Sequence, residues 1–410
     1  MLGVVAVGVA TAVSLLRQPG VGALDTVWAE DGSIFLSDAE GKSTLEAVTA
    51  SYAGYFHLVP RLLAQIAALV PPPAAAAVLA IEAALCTGLI ALLVYVASAG
   101  HLSSRLARIL SAAVVVVLPL GMGDLPNSIA NLHWPGLYAL FWMLIWTPRR
   151  TAGRTLAVAV VFLVACSDIL ILVFLPLALV RALRPAPAAG GARDRHGAAL
   201  AAALLVGVGF QLLGLLTGAS SRSLDPDPVR VATGYALRAV PPALLGERWL
   251  GADVDVRWIA LAGLAWLLIL GSVLVALRRI TRPAWALAVV ALAHSIAVYA
   301  LPVLLTGTAT IRYAAAPAML LVTAIVAALL PGEGLRGRVP LYAFTALLAV
   351  VWIANLRVDN ARAHGPRWSD EVNRAPTACD DPSATVELPI PPTGENPPWV
   401  VTLPCRDLRR

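Results

Sequence analysis

Two adjacent carboxylates, Glu30 and Asp31, stand in the stretch Trp28-Ala29-Glu30-Asp31-Gly32, a few residues beyond the first apolar segment. A carboxylate in such a place can act as general base on a hydroxyl or help hold a divalent metal such as Mg or Mn. The pair also fits a plain solvated acidic loop, since Glu-Asp alone is a short motif. Three further stretches carry chemistry. In Tyr52-Ala53-Gly54-Tyr55-Phe56-His57-Leu58-Val59-Pro60-Arg61 the aromatics suit a membrane interface. His57 and Arg61, four apart, would share a helix face able to grip a phosphate, with lipid headgroups as the other partner for Arg61. In Asn127-Ser128-Ile129-Ala130-Asn131-Leu132-His133-Trp134-Pro135, the side chains of Asn127, Asn131, His133 and Trp134 suit sugar hydroxyls and a ring face. A helix cap at Asn127 and an interface anchor at Trp134 are the structural alternative. Arg312-Tyr313 offers a cation for a lipid phosphate, or one that merely snorkels to the headgroups. Asp168, Asp25 and Asp124 complete a polar set in which several charges lie where burial is costly unless they are used or paired.

The elements that must position these residues are apolar. Hydrophobic residues make up 59% of the 410 residues and charged residues only 13%, about half the charge of a soluble domain. Continuous apolar runs of about 17 or more residues recur, which fits spanning helices and disfavours a β-barrel. The net charge of +6 comes from arginines in short loops, so it reports orientation and not nucleic-acid binding.

Candidate spans are 2–18, 74–98, 106–121, 129–147, 154–167, 169–183, 198–216, 257–277, 284–303, 312–330 and 339–356. The loops 101–108, 148–154, 181–197, 278–283 and 332–338 hold fourteen arginines against Asp194 and Glu333, which places them inside. The acidic loop 19–57 then lies outside. Segment 58–70 is about 13 residues long, contains Pro60 and Arg61 and ends in Pro71-Pro72-Pro73. It is expected to lie on or dip into the outer surface, because a crossing there would invert every later loop. The expected fold is an all-α polytopic membrane protein with about eleven transmembrane helices, N-terminus inside and C-terminus outside. The first segment has no basic head. It reads as an uncleaved anchor, with a signal peptide cut near Val21-Gly22-Ala23 as the alternative.

This gives a membrane domain over 1–356, with a first outer loop at 19–73 bearing interfacial helices and a second at 217–256. Within the second, Val229 to Leu245 resembles an interfacial helix. A small outer segment follows at 357–410, with strand-like pieces Thr385–Leu388 and Trp399–Leu403. Cys379 and Cys405 both fall in it, and an oxidising compartment favours a disulfide between them.

Taken together, these features resemble the GT-C superfamily of integral-membrane glycosyltransferases. The points of likeness are Glu30-Asp31 after the first span, the amphipathic stretch leading to His57-Leu58-Val59-Pro60-Arg61, short paired spans around Asp168, Arg312-Tyr313, and a small outer C-terminal segment. The likeness covers most of the chain, although this C-terminal part is much smaller than the sugar-binding domains of larger members. The resemblance implies an inverting transferase at the outer face of the cytoplasmic membrane. It would move a sugar from a polyprenyl-phosphate donor to a glycan or lipid acceptor of the cell envelope. Carried over, Asp31 or Glu30 is the base, while Arg312, Arg61, His133 and His57 hold the donor phosphate. Asn127, Asn131, Trp134, Asp168 and Tyr313 meet the sugar or acceptor. A flippase or transporter of lipid-linked sugars, a polysaccharide polymerase or ligase, and a non-catalytic scaffold are the rival readings. No GxxxxGK[ST], HExxH, GxSxG or CxxC pattern carries weight.

Overall fold

The computed structural model describes residues 1–183, 194–217, 225–250, 254–379 and 381–408. Parts of the basic loop 181–197 and of the loop 217–256 thus lie outside the described residues. Helix α1 (Leu2–Leu16) leads into a loop region with α2 (Ser37–Gly41), α3 (Thr44–Thr49), a hairpin of β1 (Ser51–Tyr52) and β2 (Tyr55–Phe56), and α4 (Leu58–Ala67). The bundle continues with α5 (Pro72–Ala97), α6 (Arg105–Val116), α7 (His133–Ile145), α8 (Thr151–Ala165), α9 (Leu175–Leu183) and α10 (Arg195–Thr217). After α11 (Pro228–Gly234) and α12 (Val240–Leu245) come α13 (Val256–Leu277), α14 (Trp285–Thr306), α15 (Ala315–Ala328) and α16 (Gly334–Ala354). The C-terminal segment holds α17 (Trp368–Arg374), strands β3 (Thr385–Pro389) and β4 (Val400–Pro404), and α18 (Cys405–Leu408).

Six helical stretches are long and apolar enough to cross a membrane: Pro72–Gly100, Arg195–Thr217, Val256–Leu277, Trp285–Thr306, Ile311–Ala328 and Gly334–Ala354. With the composition, they make the chain a nearly all-α polytopic membrane protein. The apolar runs near 2–18, 106–121, 129–147, 154–167 and 169–183 are also helical but shorter, with α6 only 12 and α7 only 13 residues long. The helix α7 is short because it is interior. Residues Leu137 to Leu144 are all fully buried, so protein rather than lipid surrounds it. The window of Ile311–Ala328 is likewise 89% buried, against 17% for α13, which faces outward. Local chemistry sets the ends. Prolines at its first positions start α5, and Gly307, at φ +66°, closes α14 in the left-handed conformation that favours glycine. Helix α4 spans ten residues, about 15 Å and too short to cross.

The stretch 228–245 departs from the expected interfacial helix. It enters the bundle, turns through a π-helical segment at Tyr235–Ala239 and returns. Tyr235 exchanges a hydrogen bond with Ser295 in the middle of α14 at 2.8 Å. Trp266, well inside α13, donates to the Ala236 carbonyl at 3.1 Å. Val240 and Leu244 are fully buried. Irregular backbone at such depth is stable where protein surrounds it and its polar groups find partners; the apolar residues that resemble an interfacial stripe are core residues.

The C-terminal segment shares a core with the first loop. Trp368, Val372, Leu388, Ile390, Val401 and Leu403 pack against Val27, Phe35, Leu36 and the loop-side ends of α4 and α5. Strands β3 and β4 pair antiparallel, with Thr385 opposite Pro404 and Glu387 opposite Thr402. A disulfide joins Cys379 to Cys405. A segment this small gains its burial by joining a neighbour.

Candidate active site

The first loop and the loop 117–132 meet at one end of the bundle and are tied there by Asp31. Its carboxylate accepts hydrogen bonds from Ser128 Oγ (3.0 Å), the Ile129 amide (3.2 Å) and the Ala130 amide (2.8 Å). Burial pushes the Asp31 pKa up to about 7, against the opposing pull of the Ala130 amide, the Arg362 charge and Ser128. Asp31 opens a π-helical segment, Asp31–Leu36, a geometry common at functional sites. Ala29 just before it has φ +29°, and its amide is held by the Pro391 carbonyl at 2.9 Å. Gly32 has no alternative: a Cβ there would lie 2.6 Å from Val27 Cγ1 and Val401 Cγ2.

Beside this junction lies a cavity of about 150 Å³. Glu30, His57, Asn131, His133, Trp134, Asp168, Arg312 and Tyr313 line it, with Phe35, Tyr52 and Tyr55. Glu30 Oε1 stands 3.9 Å from Arg312 Nη1, and the side chains are 18% and 39% exposed, so both are reachable. His133 Nδ1 donates to the Ala130 carbonyl at 2.7 Å, which turns the Nε2 edge of the ring away from that loop. Asp168 caps the following turn by accepting from the Leu170 amide at 2.7 Å. Asp168 and Glu30 are both within electrostatic reach of His133. Asn131 Nδ2 donates to the Asp124 carbonyl at 3.1 Å. Burial raises the pKa of Asp124, against the pull of Arg312 and Arg362.

One wall is aromatic. Ala53 and Gly54 both have positive φ, which forms the tight two-residue turn of a β-hairpin. That turn brings Tyr52 and Tyr55 onto His57, with ring centroids 5.6 and 4.1 Å away. Opposite, Trp134 lies 4.5 Å from the His133 ring and 5.9 Å from Tyr313. Trp134 Nε1 is buried and has no hydrogen-bond partner among the described residues.

Three expected site residues are placed elsewhere. Asp31 lies behind the cavity, its oxygens turned into the Ser128–Ala130 loop. Arg61 is buried and bonds Asp38 at 2.8 Å and the Ala47 carbonyl at 2.6 Å. It shares no helix face with His57, because His57 is the cap residue of α4, with non-helical φ −127° and ψ 63°. Asn127 exchanges hydrogen bonds with Ser14, at 3.0 and 2.9 Å, and thereby pins α1. Glu30 and Asp31 therefore diverge, and among the described residues no group of three or more His, Cys, Asp or Glu side chains converges on a possible metal site.

Arg362 was not foreseen. It is 1% exposed, donates to the Pro126 carbonyl at 2.5 Å and lies over the Trp28 ring at 5.3 Å. The C-terminal segment thus braces both stretches that carry the cavity walls. Nothing in its local spacing sets Arg362 apart from the other arginines of the tail. Compared with known proteins, the chain matches no family model and no curated protein.

A second cavity adjoins the first. About 420 Å³ in volume, it runs between α4, α5, α7 and α8 and is walled by Leu89, Leu93, Leu132, Val160 and other apolar groups. His133 lines both cavities, and Ser167 of the apolar one directly precedes Asp168 of the polar one.

Proposed function

We propose that the chain is a membrane glycosyltransferase of GT-C type. In this reading it moves a sugar from a polyprenyl-phosphate donor to a glycan or lipid acceptor of the cell envelope, with inversion. The eleven apolar helical segments cross the cytoplasmic membrane. The N-terminus lies inside, and the cavity and C-terminal segment lie outside, as the arginine-rich loops require. The observation that carries the reading is that a polar, carboxylate- and arginine-bearing cavity and an apolar groove lie next to each other and share His133 as a lining residue. A ligand with a long hydrocarbon tail and a charged, hydroxylated head fits that pair of spaces.

Glu30, which faces the cavity, is the base in this mechanism, and Asp31 positions the loop. Before the donor arrives, Arg312 neutralises Glu30. A donor phosphate draws the guanidinium away, since a forked contact with phosphate is the stronger pairing, and the freed carboxylate can meet the acceptor hydroxyl. Glu30 then takes the acceptor hydroxyl proton while the acceptor oxygen bonds to the anomeric carbon. The bond from that carbon to the phosphate oxygen breaks, and polyprenyl phosphate leaves with its charge held by Arg312. Trp134, Tyr55 and Tyr313 offer ring faces to the sugars.

The test is transfer of label from radiolabelled polyprenyl-phosphate sugars to an envelope extract, with wild-type and Glu30→Gln protein. Transfer by wild type that vanishes in the variant is the expected result. Donor binding with no transfer by wild type would turn the reading to translocation of lipid-linked sugars.

A further inference from the structure

Helices α8 and α10 run side by side in the same direction. At the cavity end, Gly207 packs on Ala165 so closely that a Cβ on Gly207 would lie 2.2 Å from Ala165 Cβ. About eleven residues earlier on each helix, roughly 16 Å away along the axes, both helices line a notch of about 560 Å³. Arg154, Arg195 and His196 line its mouth, and Val158, Phe162 and Ala203 line its apolar length. The notch lies on the far side of α8 from the apolar groove, which Leu156, Val160, Leu163 and Val164 line.

The mouth is built for an anion. His196 is 8% exposed, and its Nε2 has no hydrogen-bond partner among the described residues. Its backbone amide is engaged by Asp194 Oδ1 at 3.1 Å, and the other oxygen of that carboxylate pairs with Arg181 at 2.9 Å. That carboxylate is thereby engaged, and among the described residues Arg154 and Arg195 form no ion pair. Arg154 is steadied by a bond from Nε to the Pro148 carbonyl at 3.2 Å. Below these cations the walls are apolar, as acyl chains require and a soluble anion does not. Basic pockets between membrane helices are suited to anionic headgroups.

We propose that this notch seats an anionic phospholipid of the leaflet opposite the cavity. Arg154 and Arg195 pair with its phosphate, His196 Nε2 donates a hydrogen bond to a phosphate oxygen, and one acyl chain lies along Val158, Phe162 and Ala203. The site depends on the membrane architecture alone and stands apart from the proposed transfer chemistry.

Native mass spectrometry of delipidated full-length protein titrated with phosphatidylglycerol, and separately with phosphatidylcholine, tests it. Wild type is expected to retain one phosphatidylglycerol in preference to phosphatidylcholine. Arg154→Gln with Arg195→Gln should weaken that retention about tenfold. Both side chains are exposed, so the variant keeps its packing. His196→Gln, which retains a donor, should weaken it less than His196→Leu. Changing Arg278 and Arg279, basic residues outside the notch, should leave retention unchanged. Equal retention of the two lipids by wild type, equal phosphatidylglycerol retention by the double variant, or an equal loss in the Arg278/Arg279 control would overturn the assignment. Displacement of the lipid by millimolar glycerol 3-phosphate would make the ligand a soluble phosphate and overturn it too.

Discussion

The polar cavity and the junction behind it both draw on the stretches 28–36 and 124–134, yet they treat charge in opposite ways. In the junction Asp31 is held by three donors, and Arg362 by the Pro126 carbonyl and the Trp28 ring. In the cavity, Glu30 and Arg312 face each other across 3.9 Å and keep partial exposure. The junction fixes backbone, and the cavity keeps groups that can change partner. Substitutions in the two regions should therefore separate activity from stability.

The largest effect should come from Glu30→Gln. Loss of a general base costs about 10²–10⁴-fold in turnover, while thermal stability in detergent should stay close to wild type, because the ion pair Glu30 makes with Arg312 is long, at 3.9 Å, and partly exposed. A fall in stability comparable to that of a junction variant would erase the distinction between the regions. The next effect belongs to Asp31→Ala, which leaves Ser128 Oγ and two amides facing an apolar methyl. About 1–3 kcal/mol of stability should go for each buried group left unsatisfied, read as a lower melting temperature, and any activity lost should return with solvent-side stabilisers. Arg312→Ala sharpens the cavity side: the donor KM should rise about tenfold or more, the scale of a charge-assisted contact. Arg61→Ala should leave the donor KM unchanged, since Arg61 is held by Asp38 and the Ala47 carbonyl. A raised donor KM in that variant would return Arg61 to the phosphate site.

The same contrast marks what the sequence made legible. Apolar runs located the helices well, because hydrocarbon demands continuous apolar surface whatever the tertiary detail. The runs say less about which helices are interior: α7 and α15 read like α13, although the first two are enclosed and the third is not. In the segment 228–245, Arg230 and Arg238 among apolar residues give the pattern of an interfacial helix, whereas its hydroxyl and carbonyl partners lie on α14 and α13, distant in sequence. At the site, Glu30 and Asp31 stand out as a pair, but spacing cannot tell which carboxylate faces a cavity. The turn at Ala29 and the pull of the Ser128–Ala130 loop decide that. His57 and Arg61 failed as a pair for a local reason, since the helix begins one residue too late to place both on a face. Arg362 carried no local signal, because its partners are more than 230 residues away.

The smallest and most specific effect concerns pH. The Asp31 pKa in the folded protein is raised to about 7 from an ordinary 3.8, chiefly by burial. The folded chain therefore binds this proton more tightly than the unfolded chain does. Its contribution to stability is fully present below the ordinary carboxylate pKa and is lost as pH rises through about 7. The melting temperature of wild type should accordingly fall between pH 5 and pH 8 relative to that of Asp31→Asn, which cannot ionise at this position. Glu40, also raised to about 7 by burial and by the Asp407 charge, adds a slope of the same sign in both proteins, so the difference between them isolates Asp31. Parallel profiles would mean that the three donors, rather than burial, govern this carboxylate. Asp31 would then be a permanently charged anchor, and the junction would hold its charge across the whole range in which the cavity works.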